Sequence, residues 1–590
     1  VDANDEPHPL SPSPQAAAVD GPERSADSPP QPRDRAARVR RLKEDAFDLL
    51  VVGGGITGAG VARDAALRGL RVALVERGDF AQGTSSRSSK LVHGGLRYLE
   101  NFEFGLVFES TRERKIQRSL NPNLVWPQPF VFPVFKDGPH SLLKIDVGLW
   151  LYDLLAMFRA WRMHKRLGAG RTAELVPALR TEGLRGSLLY YDCRTDDARL
   201  TLANVLDAER HGAVALNYTR FERPLLGGGE GAVGQEGENV RGALVRDLET
   251  GEAYEVRAKH LVYALGVWTD GTPEAPGEGR LLRPTKGVHI VVPHERLPLD
   301  QAVVLSAVDD GRVVFAIPSG KTTYVGTTDT DFDGDPDAIR ATGDDVSYLL
   351  RTANAFFPRA QLTAADVQST WAGLRPLIRD ESDSAYGTSR EHRRFDDPRG
   401  ITTMAGGKLT TYRAMAEEVV DAALRRLSPL LSAEGRAATR CRTAKVPLDP
   451  ELAPCEDPVR GPADPLDNAL WRLHGSGRAW IRRRMVEVPA EAASLCPDQP
   501  FVLAQVSRAV LAEQARTVRD VLVRRLPVFF VARDQGLGCA AGVARHMAGL
   551  LGRDEDWVRT QVADYEALVA QSRTGARTLD SVDGSAPVVS

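Results

Sequence analysis

Six consecutive residues, Gly53-Gly54-Gly55-Ile56-Thr57-Gly58, match the pattern G-x-G-x-x-G. The pattern alone is weak. Here it follows the apolar run Leu49-Leu50-Val51-Val52 and opens a helical stretch from Ile56 to Arg68, for which Gly69 is a plausible C-cap. A second apolar run, Leu70 to Val75, then ends at Glu76. Strand, helix and strand within about 30 residues form the unit that binds a dinucleotide. Gly53 permits the tight turn, Gly55 lets backbone approach a pyrophosphate, and Gly58 lets helix and strand pack closely. The helix start at Ile56 and Thr57 presents unpaired N–H groups to the anion. Glu76, with Arg77 next to it, can accept hydrogen bonds from the adenosine ribose. A glycine-rich turn without a ligand is the competing reading, and it leaves the rest of the unit unexplained.

The acidic residue does not separate a nicotinamide from a flavin cofactor. The next segment, Gly83 to Tyr98, favours FAD: it is rich in hydroxyls, basic residues and glycines, and could line an extended cofactor with small donors. Thr84, Ser85, Ser86, Ser89, Lys90, Leu91 and His93 are its candidate contacts.

These residues need a scaffold. With 590 residues, the chain is expected to form two or three domains. A formal net charge of −3 gives no electrostatic reason to expect a nucleic-acid partner. Five widely spaced cysteines, none in C-x-x-C, support neither a metal site nor a redox pair. Residues 1–44 are too polar to offset the entropy of ordering and are expected to be disordered, with order beginning at Phe47. They lack the apolar core of a secretory signal. Between Arg283 and Asp331, three short apolar runs at His289–Val292, Val313–Pro318 and Thr323–Gly326, with turns at Asp310-Gly311 and Ser319-Gly320, predict an antiparallel sheet. Beyond about Ala414 the pattern is helical.

At this point the chain resembles the FAD-dependent glycerol-3-phosphate dehydrogenases. The resemblance starts at Asp48–Glu100 and continues, in order, through Lys286-Gly287-Val288-His289, Phe315-Ala316-Ile317-Pro318, Gly326-Thr327-Thr328-Asp329, Gly373-Leu374-Arg375-Pro376-Leu377 and Gly406-Gly407-Lys408-Leu409-Thr410-Thr411-Tyr412-Arg413. It weakens toward the C-terminus, where Glu513 and Arg524-Arg525 still fit. Tyr263 and Leu265 depart from it, standing where the family has polar or small residues, although Ala264 and Gly266 remain as candidate cofactor contacts. Leu526 stands where a small hydroxyl residue is common.

The resemblance implies an α/β fold. Its Rossmann-like FAD domain, of the glutathione-reductase and D-amino-acid-oxidase type, would be built from residues 45–115, 185–268 and 370–425. An antiparallel substrate cap would comprise 116–184 and 269–369, a helical domain 426–575 and a flexible tail 576–590. It implies oxidation of sn-glycerol 3-phosphate to dihydroxyacetone phosphate, with hydride passing from C2 to flavin N5 and electrons to membrane quinone, or to oxygen in an oxidase branch.

That chemistry needs a base and a grip on phosphate. His93 is the first candidate base because imidazole titrates near neutrality, and His289 is the second. Arg97, Arg375 and Arg390 are candidate phosphate ligands. Arg375 could instead polarise the substrate hydroxyl. Lys408 could hold substrate oxygen or negative charge on the reduced ring. Tyr98 and Thr328 are substrate donors by resemblance. Gly373, Gly407, Leu409 and Thr410 complete the expected cofactor contacts, with a helix near Leu409 or Thr410 aiming its N-terminus at the ring. No metal is expected.

The longest apolar stretch, Ile145 to Met157, is too short and too charged to span a bilayer. Its Trp150 and Tyr152, with Trp161 and the basic residues Arg159, Arg162, Lys165 and Arg166, suit either a membrane interface or a buried cap helix, the reading preferred from sequence. The expected location is cytoplasmic, peripheral at the inner face of the cell membrane. A homodimer and a catalytically silent FAD-binding module remain open.

Overall fold

The computed structural model describes residues 34–95, 103–138, 141–155, 161–227, 239–276, 279–379, 391–428 and 440–583. At its centre is a six-stranded sheet in the order 392–397, 401–406, 261–263, 49–52, 72–75, 214–216. All neighbours are parallel except the first pair. The strands Leu49–Val52, Val72–Val75, Leu261–Tyr263 and Val214–Leu216 are buried throughout, which is why they read as unbroken apolar runs rather than alternations. On one face lie the helices Ile56–Leu67, Asp197–Arg210 and Tyr412–Leu427. Gly60 lets Tyr412 approach: a Cβ there would lie 2.9 Å from its ring. The other face is covered by a smaller sheet whose strands include Asn239–Asp247 and Ala253–Ala258.

A larger, mainly antiparallel sheet forms the cap. The pairing of Leu282–Pro293 with Thr322–Gly326, and of the latter with Val313–Ser319, is as the turns predict. The sheet also takes in Val125–Phe135, Leu184–Thr195 and Ser369–Ile378. Boundaries at 185 and 370 therefore assign two cap strands to the nucleotide domain. Long-range pairing with 125–135 and 282–293 overrides their place in sequence.

Two terminal expectations are corrected. Arg35–Glu44 is a helix, not disordered chain: Leu42 is fully buried and Arg38 pairs with Glu209 at 2.8 Å. One buried leucine and a few long-range ion pairs anchor a segment whose composition is otherwise that of a solvated tail. At the other end the last helix, Glu555–Asp583, runs past residue 576, where a flexible tail was expected, and Ala576 is buried. The C-terminal domain is helical apart from a hairpin, Ser494–Cys496 with Gln499–Val502. Cys496 and Cys539, distant in sequence, bring their Sγ atoms to 3.8 Å, a proximity that a search for C-x-x-C could not find.

The helical domain is joined to the nucleotide domain by buried charge. A π-helical turn, Asp520–Arg525, turns both Arg524 and Arg525 onto Asp79, at 2.6 and 2.7 Å. Arg525 also donates to the Glu513 carbonyl, while the Glu513 carboxylate receives Arg199. Leu526 is fully buried in the apolar core beside this joint.

A flavin cleft at the strand ends

A cleft of about 780 Å³ opens where the parallel strands end, the position at which open α/β sheets bind ligands. Four of its walls are the segments leaving those strands: Gly53 after 49–52, Glu76 after 72–75, Ala264 after 261–263 and Gly407 after 401–406.

The glycines behave as their spacing demands. Gly53 has φ +107°, and a Cβ there would lie 2.5 Å from the Ala264 carbonyl oxygen. A Cβ on Gly58 would reach the Gly53 carbonyl oxygen at 1.9 Å; Gly58 permits packing and does not line the cleft. Gly55 is open apart from Ser85 Oγ at 3.2 Å, so a pyrophosphate can reach backbone N–H there. Ile56 N–H donates to Ser85 Oγ at 2.9 Å, joining the helix start to the hydroxyl-rich segment. Glu76 accepts from the N–H groups of Gly54 and Gly78, at 2.7 and 2.8 Å. Withdrawal from water holds its carboxyl above the ordinary range despite these donors. Arg77 lies over Trp268 and pairs with Asp337.

Thr84, Ser85, Ser89, Leu91 and His93 line the cleft with Gly266 and Gly373. Lys90 and Ser86 do not. Lys90 turns away from the cleft into a neighbouring cavity, where it pairs with Asp197 at 2.5 Å, and Ser86 is buried. Lys90, just before the strand Leu91–Val92, has φ +56°, and Ser86 lies in a 3₁₀ turn, Thr84–Ser86; composition could not reveal either direction. Arg87, not singled out in sequence, does line the cleft; burial, and repulsion from Arg519 and Arg524, pull its guanidinium down to about 10. Trp268 and Leu374 are also in the wall.

At the other end, Gly406 and Gly407 have φ +74° and +89°. They turn the chain so that Lys408, Leu409 and Thr410 face the cleft before a 3₁₀ turn feeds the helix Tyr412–Leu427. His93 N–H donates to Thr410 Oγ1 at 3.1 Å, and that hydroxyl is 3.2 Å from the His93 carbonyl oxygen. Arg375 is placed by a fork: Nη1 donates to Asp329 at 3.0 Å, and Nη2 to Thr327 Oγ1 at 3.2 Å. Gly287 makes room, since a Cβ there would lie 2.6 Å from both Arg375 Nη2 and Thr327 Oγ1.

Thr328 is displaced from its expected role. Its hydroxyl accepts from Val288 N–H inside the sheet, and its neighbour Thr327 faces the cleft. His289 reaches the cleft wall but is almost fully buried, stacked on Trp371 at 4.4 Å with Nε2 2.9 Å from Ser89 Oγ. Burial, reinforced by Arg375 and Lys90, holds its imidazole well below the usual range. It is therefore neutral and structural, a poor second choice as base. Tyr263 is also structural: fully buried, edge-on to Phe221 at 5.4 Å, it leaves Leu265 as the residue in the wall. Arg97, Tyr98 and Arg390 lie outside the described residues.

A glycine turn a Cβ would fill, the Glu76 carboxylate and the remote turn at Gly406-Gly407 line one cleft that suits an extended ligand, and together with the parallel sheet they define a flavin-dependent oxidoreductase. The model of the family described as "FAD dependent oxidoreductase" matches residues 48–438, and that of the "C-terminal domain of alpha-glycerophosphate oxidase" matches 469–558. The chain is 42% identical over 390 residues to the aerobic glycerol-3-phosphate dehydrogenase of Staphylococcus aureus, covering 66% of this chain and 69% of that protein. The structure of the glycerol-3-phosphate dehydrogenase from Bacillus halodurans complexed with FAD aligns over 92% of this chain and 99% of that one, with a TM-score of 0.72 and 32% identity. The chain belongs to the FAD-dependent glycerol-3-phosphate dehydrogenase family, and its cofactor is FAD.

Proposed function

We propose that the protein oxidises sn-glycerol 3-phosphate to dihydroxyacetone phosphate and passes the electrons to a membrane quinone. The observation that supports the first part is the placing of Arg375 by Asp329 and Thr327 in the same cleft as His93 and Lys408. Bound FAD supplies the hydride acceptor for C2. His93 takes the C2 hydroxyl proton, Arg375 polarises the hydroxyl or holds the phosphate, and Lys408 holds negative charge at the ring end of the cleft. Arg97, Tyr98 and Arg390 are proposed to complete the substrate grip. Anaerobic addition of sn-glycerol 3-phosphate should bleach the bound flavin, and an unbleached flavin would refute the reading.

The quinone assignment draws on a surface feature. In the helix Leu142–Leu155, Leu143, Val147, Trp150 and Leu154 are exposed, spaced along one face. Phe104 and Phe108 of the packed helix Phe104–Leu120 extend the patch. Lys144, Arg112, Arg162, Lys165 and Arg166 are exposed on or near the same helices. An apolar stripe flanked by cations suits the headgroup region of an anionic bilayer, so we place this helix on the membrane rather than inside the cap, with the protein peripheral at the inner face of the cell membrane. No helix among the described residues is long and apolar enough to cross a membrane. Vesicles containing anionic lipid should retain the wild type and release Trp150→Glu/Leu154→Glu. A quinone analogue should outcompete oxygen as acceptor; stoichiometric peroxide with no quinone reduction would make the protein an oxidase instead.

A further inference from the structure

Beside the flavin cleft, on the same face of the cap sheet and beyond His289 and Trp371, lies a second cavity, of about 180 Å³, between that sheet and the helical domain. Five aromatic side chains line it: Trp126, Tyr324 and Trp371 come from the sheet, Phe501 and Phe530 from the helical domain. Three cations also face it, Lys90, Arg194 and Arg472. Lys90 is balanced by Asp197. Among the described residues neither arginine has an ion pair. Arg194 donates to the Pro318 carbonyl and Ser319 Oγ and lies over Tyr324 at 5.7 Å; Arg472 donates to the carbonyls of Pro122, Pro458 and Val459 and lies over Trp126 at 4.2 Å, so both are met by neutral groups alone. They lie near enough to repel each other, and burial, with that repulsion, brings Arg472 down to about 9. Two carboxylates stand nearby. Asp196 lines the cavity and accepts from Arg199 N–H at the start of its helix. Asp457 acts on Arg472 from a distance and accepts from the N–H groups of Val459 and Arg460.

Like charges side by side in a half-dry, aromatic-walled cavity are an unsatisfied arrangement, and an anion with an apolar body relieves it. Lys90, Arg194 and Arg472 in the lining, set against Asp196 in the lining and Asp197 paired with Lys90 behind it, leave a single positive charge. That excess matches a monoanion better than a phosphate dianion. We infer that this cavity is a binding site for a small carboxylate carrying an aliphatic or aromatic tail, its head between Arg194 and Arg472 and its tail against Trp371 and Phe530. Guanidinium forks suit carboxylates, and the remaining walls are apolar.

The site shares a wall with the flavin cleft. Trp371 stacks on His289 and donates Nε1–H to the Ser88 carbonyl at 3.3 Å, and Tyr324 donates to the Ser89 carbonyl at 3.1 Å. A ligand there touches the residues that hold the hydroxyl-rich segment, so occupancy should be reported by tryptophan fluorescence whatever the electron acceptor.

The test uses octanoate, with octanol and inorganic phosphate as controls, on the full-length FAD-loaded protein. Octanoate should give a saturable change in tryptophan emission, with octanol and phosphate each at least tenfold weaker. Arg194→Gln keeps a donor for Ser319 but removes the charge, and should weaken octanoate at least tenfold. Ala469→Phe fills the cavity from the helical side and should abolish binding. Both variants are compared at wild-type flavin content and melting temperature, which excludes loss of fold. Equal affinity for octanoate and octanol, equal affinity for phosphate, or undiminished octanoate binding in both variants would overturn the proposal.

Discussion

At the scale of single residues, the two cleft histidines differ in their surroundings. His289 is locked neutral by burial, by Arg375 and Lys90, and by its stack on Trp371. His93 is tied to Thr410 through its backbone and lines the cleft. His93→Ala should therefore slow flavin reduction by roughly 10²–10⁴-fold, the range for a positioned acid–base group, while FAD stays bound through the Gly53–Gly58 turn. Stopped-flow reduction measured across pH is the check, and a near-normal rate with an unchanged pH profile would remove His93 from the chemistry. Gly287 gives a subtler test. Alanine there forces Arg375 or Thr327 to move, because the added carbon would lie 2.6 Å from each. Losing one charge-assisted contact costs about 1.5–3 kcal/mol, so Gly287→Ala should lower kcat/KM for sn-glycerol 3-phosphate by roughly 10–100-fold with flavin content intact. A kcat/KM equal to wild type would show that Arg375 does not touch substrate.

At the scale of elements, the βαβ unit and the turns at 310–311 and 319–320 were legible because each is local: period, glycine and strand length lie within a few residues. The strands at 125–135 and 184–195 were not, because their stability comes from each other across the chain. The same distinction separates Ser85, whose place in the cleft follows from its segment, from Lys90, whose direction depends on a left-handed backbone and on Asp197, far along the chain. The helix Arg35–Glu44 was hidden by composition, since its polar residues outnumber the buried ones. The joint between domains is a further element that only the fold reveals. Burial would raise the Asp79 carboxyl, but Arg525 and Arg524 outweigh it and hold it down to about 2. Removing that charge strands two buried guanidinium groups, so Asp79→Asn should destabilise the protein by about 3–5 kcal/mol. Chemical denaturation would show it, together with faster proteolysis between the nucleotide and helical domains. An unshifted midpoint would mean the joint is held by apolar packing alone.

At the scale of the whole molecule, three buried histidines set the response to acid. Burial, aided by neighbouring arginines, brings His260 and His474 down to about 3, and His289 is also well below its usual range. The unfolded chain protonates these groups near pH 6.5, the folded chain only far lower. The stability they contribute is thus complete above about pH 6.5 and is lost as pH falls toward 3, at up to about 1.4 kcal/mol per pH unit for each. Asp79 behaves differently: its folded value is depressed below that of a free carboxyl, so its contribution is intact above about pH 4 and fails only between there and about 2. Melting temperature should therefore fall between pH 7 and pH 5, before the inter-domain joint is affected, and His260→Gln should flatten that slope. A melting temperature constant over this interval would contradict the assignment of these histidines as neutral.

The order of strands in the central sheet has a consequence for biosynthesis. The strand Leu49–Val52 sits beside Leu261–Tyr263, which in turn sits beside Ile401–Gly406. Between the first and last of these the ribosome must make most of the cap. At about 5–20 residues per second, that delay is on the order of tens of seconds. Until Tyr263 has emerged the first βαβ unit has its apolar strands formed but lacks the neighbouring strand, and throughout the interval it lacks the cleft-lining turn at Gly406-Gly407. The nascent chain therefore exposes an unpaired, fully apolar strand edge, the kind of surface that recruits chaperones or aggregates. FAD can be enclosed only after Thr410 has left the exit tunnel, so cofactor supply acts on a nearly complete polypeptide and stabilises it by mass action at the last step of folding.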